Sequence, residues 1–149
     1  LDYHDKGVLV WCRSSNPGAG DFQDRLMVAK EDSEEAPLYR VIATEARRWD
    51  LYSNVGLVVG ATYPQELAEV RALCTEMPFL IPGVGAQEGD LKESVRRGTD
   101  SRGRRAIVNS SRGVIYASRE ADFAEAAREA AEHLRETMNR ILDEEGQGW

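Results

Sequence analysis

Four short apolar runs, each followed by a polar loop, set the pattern of the chain. They are residues 7–12, Val55–Val59, Phe79–Ile81 and Ala106–Val108. The second run has no polar position, which is typical of a strand buried on both faces, as parallel strands are. A helical pattern follows each run. This alternation of strand and helix predicts an α/β fold with a parallel sheet.

The predicted helices are amphipathic and span approximately residues 38–49, 62–74, 90–98 and 122–142. Thr62 is placed to cap the second helix, and Gly98 is placed to stop the third. The residues expected to face the core in the first and last helices are Leu38, Val41, Ile42, Ala46 and Trp49, and then Phe123, Ala126, Ala127, Ala130, Leu134, Met138 and Ile141.

No segment divides the chain. Residues 30–37 are charged and are expected to lack regular structure, and we find no repeat, low-complexity stretch or linker. We therefore expect residues 1–149 to form a single unit without an internal domain boundary. The chain starts at Leu1 and not at Met, so we expect it to be processed or to be a piece of something longer.

The charge of the chain narrows the range of partners. Nineteen Lys and Arg residues against 26 Asp and Glu residues give a formal charge of −7. This balance argues against nucleic acid and anionic membranes, but a phosphate needs only a local group of N–H donors and a cation. No apolar stretch is long enough to span a membrane and no signal peptide is visible, so we expect a cytoplasmic protein.

The cysteines and histidines do not suggest a metal site. Cys12 and Cys74 each lie in or beside an apolar run and form no CxxC pair, so we expect reduced, buried thiols. His4 and His133 are not spaced with them as zinc ligands, so no metal is expected. His133 falls in a charged helix and is expected to be solvated.

Two loops contain residues that suit an anion. The glycines of the loop between Pro82 and Asp90 let backbone N–H groups approach a ligand, just before a helix begins. A plain strand-to-helix turn explains this loop equally well. It does not fit a dinucleotide site, because it follows the third strand and not the first.

The second loop, Ser110-Ser-Arg-Gly113, follows the fourth strand. Arg112 offers a planar fork that matches phosphate oxygens, although an arginine in a polar loop is more often only solvated. In (β/α)₈ barrels the loops after the last two strands frequently build a phosphate site, and this favours binding by the two loops together.

Four loop sequences in order resemble a known family. They are Arg13-Ser-Ser-Asn-Pro-Gly-Ala19, Val55-Gly-Leu-Val-Val-Gly-Ala-Thr62, Leu80-Ile-Pro-Gly-Val-Gly-Ala-Gln87 and Asn109-Ser-Ser-Arg-Gly-Val-Ile-Tyr-Ala117. They are similar to the segments at strands five to eight of orotidine 5'-monophosphate decarboxylase, in its longer bacterial subgroup. The resemblance implies the C-terminal half of a TIM barrel. It also implies a cofactor-free carboxy-lyase of pyrimidine biosynthesis, which converts orotidine monophosphate to uridine monophosphate and CO₂.

The resemblance assigns the base and the phosphate to different loops. Ser15 matches the serine that hydrogen-bonds the pyrimidine edge, and Pro82 matches the proline that lines the base pocket. Arg112 matches the phosphate-binding arginine, and Gln87 the glutamine that reaches over the closed site to the phosphate. Backbone N–H groups are expected to assist at Gly85 and Ser111.

The sequence departs from the family in two ways. Glu88 stands where a glycine is usual, and we expect it to point to solvent because a carboxylate would repel phosphate. The family's D-x-K-x-x-D motif is absent from the sequence, and Lys6, which precedes a strand, is a poor substitute for its proton-donating lysine. We therefore expect no catalytic residue in this chain.

The expected function is thus the phosphate- and pyrimidine-binding half of the decarboxylase. The alternatives are a non-catalytic phosphate-ligand binding module derived from the barrel and a fragment without a present function. A half-barrel would have two open sheet edges, at residues 8–11 and 106–108, and a wet concave face formed by Leu57, Val58, Val59, Leu80 and Ile81. We therefore expect it to associate with an N-terminal half-barrel or with itself. The family's homodimers also make a larger assembly plausible.

Overall fold

The chain forms a parallel sheet covered by helices on one face. We describe residues 3–28, 34–85 and 89–148 of a computed structural model. A 3₁₀ turn spans Pro17–Ala19. The other elements, in chain order, are β1 (Val8–Arg13), α1 (Gly20–Gln23), β2 (Leu26–Met27), β3 (Ala36–Pro37), α2 (Leu38–Trp49), β4 (Val55–Val59), α3 (Pro64–Leu73), β5 (Phe79–Ile81), α4 (Leu91–Gly98), β6 (Ala106–Val108), α5 (Ser111–Ile115) and α6 (Phe123–Glu144).

The main sheet has the strand order β1-β4-β5-β6, and all of its pairings are parallel. Consecutive strands of the sheet are therefore neighbours, joined by helices, as in one half of a (β/α)₈ barrel. The predicted fold is confirmed, and the predicted bounds of β4, β5 and β6 match the structure. β1 and β6 lie at the two edges of the sheet, as expected.

The core lies between the sheet and the helices. Leu57, Val59, Phe79 and Ile81 point into it and are fully buried, together with Leu67 and Val70 of α3. Both cysteines are free and buried, which confirms that prediction. The thiol of Cys12 donates to the backbone oxygen of Tyr39 at 3.2 Å. Burial, together with the nearby Cys74, raises the pKa of Cys12 to about 12.

The other face of the sheet carries an apolar row that crosses all four strands. Trp11 pairs in register with Val58, Val58 with Leu80, and Leu80 with Ile107. Trp11 is 60% exposed and Ile107 is 54% exposed. The expectation that Leu57, Val59 and Ile81 would be wet is wrong, because side chains alternate along a strand and these three face the helices. The same expectation is wrong for Val58, which lies in the middle of the row and is only 5% exposed. We call Trp11, Val58, Leu80 and Ile107 the concave row.

Other expectations about individual elements are also corrected. Trp49 and Phe123 were expected in the core but are 51% and 61% exposed. Thr62 does not cap α3, because its hydroxyl donates to the Ser15 carbonyl instead. Two segments expected to lack regular structure contain short elements. Ala36–Pro37 pairs with Leu26–Met27, and Ser111–Ile115 forms a helix. His133 is exposed, as predicted.

Arg71 joins the elements at the amino end of the sheet. Its guanidinium donates to the backbone oxygens of Gly98, Cys74, Met77, Arg105 and Thr75, at distances from 2.6 to 3.5 Å. Its Cζ atom lies 3.5 Å from the centroid of the Phe79 ring. The side chain is only 8% exposed, and burial lowers its pKa to about 10. One arginine thus ties α3, α4 and the entries to β5 and β6 together.

Candidate functional site

A cavity opens at the carboxyl ends of β5 and β6. Its volume is about 190 Å³. Because these strands are parallel neighbours, the loops that follow them leave the same edge of the sheet side by side. The cavity therefore brings together the two loops that the sequence singled out, and it is lined by Pro82, Gly83, Val84, Asn109, Ser110, Ser111 and Arg112.

The loop after β5 turns sharply through glycine. Gly83 has a φ of 98° and Gly85 a φ of 76°, a left-handed conformation that favours glycine. The Gly85 N–H, expected to assist a phosphate, donates to the Gly89 oxygen at 3.2 Å. Gly85 does not line the cavity in this structure. Gln87 and Glu88 lie outside the described residues.

The loop after β6 supplies the cation. Arg112 is exposed, and its guanidinium makes no hydrogen bond or ion pair with any other residue in the described parts of the chain. Ser111 and Arg112 form the first turn of α5, where backbone N–H groups have no partner within the helix. This loop can therefore offer a fixed positive charge and main-chain donors on one side of the cavity.

Asn109 is a lining residue that the sequence did not single out for a role. Its Oδ1 atom is buried and has no hydrogen-bond partner within residues 3–28, 34–85 and 89–148. Buried polar atoms normally have a partner, so this amide group has hydrogen-bonding capacity to spare beside Arg112. An asparagine following a strand carries no signal for this in the sequence alone.

Ser15 lies outside the cavity, on the loop that follows β1. Its main chain packs against the turn after β4, where Thr62 donates to its carbonyl at 2.9 Å. A Cβ atom on Gly60 would lie 2.7 Å from the Ser15 nitrogen, so only glycine permits this approach. The adjacent Ala61 N–H donates to the Pro82 oxygen at 2.8 Å. The turn after β4 thus connects Ser15 to the cavity.

Neither of the described lysines lines the cavity. Lys6 precedes β1, at the amino end of the sheet, and its Nζ atom is 2.6 Å from Asp5. Lys92 lies on α4 and its Nζ atom is 3.3 Å from Glu144 of α6. The segment from Asp90 to Lys92 begins like D-x-K-x-x-D but reaches Val95 at the final position. Asp90 instead caps α4 by accepting from the Glu93 N–H.

Two further searches covered the described residues. Within them, no group of three or more His, Cys, Asp or Glu side chains is arranged to hold a metal ion. None of the helices seen there has the length and apolar character needed to cross a membrane.

The strand order and the position of the cavity define one class of protein: half of a (β/α)₈ barrel with its candidate site at the carboxyl ends of the last strands. Comparison with family models identifies the family. Residues 1–130 match the orotidine 5'-phosphate decarboxylase / HUMPS family, and the chain belongs to it.

Curated relatives agree with this assignment. The chain is 50% identical over 141 residues to an orotidine 5'-phosphate decarboxylase of Cupriavidus necator, covering 94% of this chain and 50% of the relative. It is 44% identical over 139 residues to the enzyme of that name from Dehalococcoides mccartyi, covering 93% and 51%. The chain therefore spans about half the length of the curated relatives it matches.

Solved structures show the same relation. The chain superimposes on Leishmania donovani UMP synthase with a TM-score of 0.74 and 40% identity, covering 91% of this chain and 29% of that one. The TM-score is 0.78, with 29% identity, for a putative orotidine-monophosphate decarboxylase of Toxoplasma gondii, where the coverage is 97% and 54%.

Proposed function

We propose that this chain is the phosphate- and pyrimidine-binding half of an orotidine 5'-monophosphate decarboxylase. The observation that carries the proposal is the cavity between the loops after β5 and β6, with Arg112 at its rim. We further propose a cytoplasmic location, and a place for the chain in a homodimer of complete barrels. Family membership supports both.

The phosphate is assigned to the β6 side of the cavity. The Arg112 guanidinium has no partner among the described residues, and arginine pairs well with phosphate because its donors match two oxygens at once. The first N–H groups of α5, including that of Ser111, lie on the same loop. Gly85 and Gln87 are assigned to the phosphate as well, by their match to the family.

The pyrimidine is assigned to the other side. Pro82 lines the cavity and presents an apolar surface that suits a flat base. Ser15 lies on the far side of the turn after β4. This turn hydrogen-bonds to Ser15 through Thr62 and to Pro82 through Ala61. The order Arg112, Pro82, Ser15 across the sheet matches a ligand whose phosphate and base are at opposite ends.

The chemistry is assigned to a separate half. The decarboxylation leaves a carbanion-like centre that must be protonated, and neither described lysine lines the cavity. We propose that the N-terminal half-barrel supplies these groups and covers the concave row. In its absence the chain would cover this row by pairing with itself.

The assignment of Arg112 is tested by ligand binding. We expect Arg112→Ala to weaken binding of uridine monophosphate by about 10-fold to 150-fold, because a charge-assisted hydrogen bond contributes roughly 1.5–3 kcal/mol. Binding of uridine should not change. Arg119→Ala is a matched control, since this arginine is also exposed and without a described partner. Equal losses for nucleotide and nucleoside would refute the assignment.

The division of labour is tested by activity. We expect no decarboxylation of orotidine monophosphate by this chain alone, and turnover once an N-terminal half carrying D-x-K-x-x-D is added. Turnover by the purified single chain would overturn the proposal. Nucleotide binding that persists without turnover, even with the second half present, would favour a non-catalytic binding module.

A further inference from the structure

Three residues outside the cavity converge on the loop that carries Ser15. They are Arg13, the last residue of β1, and Thr62 and Tyr63, which follow β4. None of them was singled out for function by the sequence motifs. Their contacts deepen the function proposed above and rest on it.

Arg13 is fully buried, although it is the last residue of β1 and lies at the carboxyl end of the sheet. One of its terminal nitrogens, Nη2, lies 3.1 Å from Asp24 and 3.7 Å from Glu66. The other, Nη1, donates to the side-chain oxygen of Gln23 at 3.4 Å. Its Nε atom is buried and has no hydrogen-bond partner among the described residues. The contacts of the two terminal nitrogens join the end of α1 to α3.

The ring of Tyr63 packs against the same guanidinium, with the Arg13 Cζ atom 3.9 Å from the ring centroid. At its other end, the Tyr63 hydroxyl donates to the Asn16 carbonyl at 3.1 Å. Tyr63 therefore connects the buried charge to the residue that follows Ser15.

The main chain of Ser15 is fixed more directly. The Thr62 hydroxyl donates to the Ser15 carbonyl at 2.9 Å, and the Ser15 backbone lies against Gly60 without room for a methyl group. The neighbouring Ser14 N–H donates to the Gln23 side chain at 2.9 Å. Ser14 is therefore held by α1, and Ser15 by the turn that follows β4.

These contacts stay on one side of the site. The side chains of Arg13, Thr62 and Tyr63 contact the Ser15 loop, α1, α2 and α3, and none of the three lines the cavity with Arg112. A disturbance of Ser15 can therefore leave the phosphate side unchanged.

We propose that Arg13, Thr62 and Tyr63 are positioning residues that hold Ser15 for the pyrimidine and so determine affinity for the base without affecting the phosphate. Preorganising a loop in its bound conformation raises affinity because less ordering remains to be done on binding.

The test compares uridine monophosphate with ribose 5-phosphate, which lacks the base, on the full chain. We expect Thr62→Val to weaken uridine monophosphate binding by about 3-fold to 10-fold, the size expected for one lost neutral hydrogen bond. Ribose 5-phosphate binding should stay the same. Thr62→Ser keeps the hydroxyl and should restore the affinity, and Tyr63→Phe should behave like Thr62→Val. These mild variants are preferred to Arg13 variants, which can fail to fold.

Ser15→Ala separates the two ways in which the inference could fail. If Ser15→Ala weakens only uridine monophosphate while Thr62→Val weakens both ligands or neither, the positioning role is wrong and the proposed function stands. An equal loss in Thr62→Ser and Thr62→Val also overturns it. If Ser15→Ala does not distinguish the ligands, Ser15 does not contact the base, and both the proposed role of Ser15 and this inference are refuted.

Discussion

Arg71 and Arg112 lie at opposite ends of the same sheet and have opposite surroundings. Arg71, at the amino end, is buried and donates to five backbone carbonyls of α3, α4 and the entries to β5 and β6. Arg112, at the carboxyl end, is exposed, and its guanidinium bonds to nothing else among the residues described. The two side chains are chemically identical, so the difference between them comes from position alone.

The contrast shows how a β/α unit separates stability from binding. At the amino end, helix C-termini leave carbonyl oxygens without partners, and one guanidinium can satisfy several of them. At the carboxyl end, the Arg112 guanidinium has no partner within the described part of the chain and is available to a ligand. In barrels of this class, sites lie at the carboxyl ends of the strands, and the opposite end serves stability.

The largest expected effect on stability comes from Arg71, at the amino end of the sheet. We expect Arg71→Ala to lower the free energy of unfolding by about 3–5 kcal/mol, because it leaves several buried carbonyls without donors. Urea unfolding measures this loss. Arg47→Ala is the matched control, since Arg47 is exposed and donates to one carbonyl, that of Leu73, at 2.8 Å. The control should lose less than about 1 kcal/mol. Similar losses in the two variants would remove the distinction.

The next largest effect concerns self-association through the concave row. We expect the chain to self-associate at low micromolar concentration, and Trp11→Ser or Ile107→Ser to weaken that association by about 1.5–3 kcal/mol each, the value of burying one large apolar side chain. Sedimentation over a dilution series measures it. Leu51→Ser is the control, because Leu51 is 76% exposed and lies outside the concave row. A wild-type chain that sediments as a compact 16.6 kDa monomer would contradict the prediction.

At neutral pH the smallest effect is expected from the buried thiol of Cys12, because this group acts on stability only at alkaline pH. Burial raises the pKa of Cys12 from 9.0 to about 12, so the unfolded chain loses this proton first as the pH rises. Stability should therefore be fully present below pH 9.0 and should fall between pH 9.0 and about 12. Arg71, whose pKa is lowered to about 10, acts in the opposite sense in this range. Comparing the wild type with Cys12→Ala isolates the thiol, and parallel pH profiles would exclude its contribution.

The sequence predicted the sheet well because the strands depend on a simple pattern. The apolar runs that became β4, β5 and β6 had no competing helical periodicity, and their predicted bounds match the structure. The bounds of α2 were also predicted correctly. Its outermost residue, Trp49, was wrongly assigned to the core, because a helical pattern gives the face of a helix but not where the cover of neighbouring elements ends.

The loops were predicted only in part, for a physical reason. Pro82, Ser111 and Arg112 were expected to come together because loops on parallel neighbouring strands must meet, and they line one cavity. Arg13 and Arg71 could not be recognised. Their partners are backbone carbonyls and acidic side chains brought together by the fold, and an arginine destined for burial looks like a solvated one in the sequence. Thr62 was assigned as a cap because its alternative partner, Ser15, is distant in the chain.

The concave row gives the chain an optical signal of its own. Trp11 stands on an edge strand with its indole 60% exposed, on the face where we propose that a second half-barrel docks. Docking would move this indole from water into an apolar contact, and its fluorescence emission would shift to shorter wavelength. Trp49 lies on the helical side of the sheet and would keep its environment, so the shift would report on Trp11. Completion of the barrel could therefore be followed in real time without any added label.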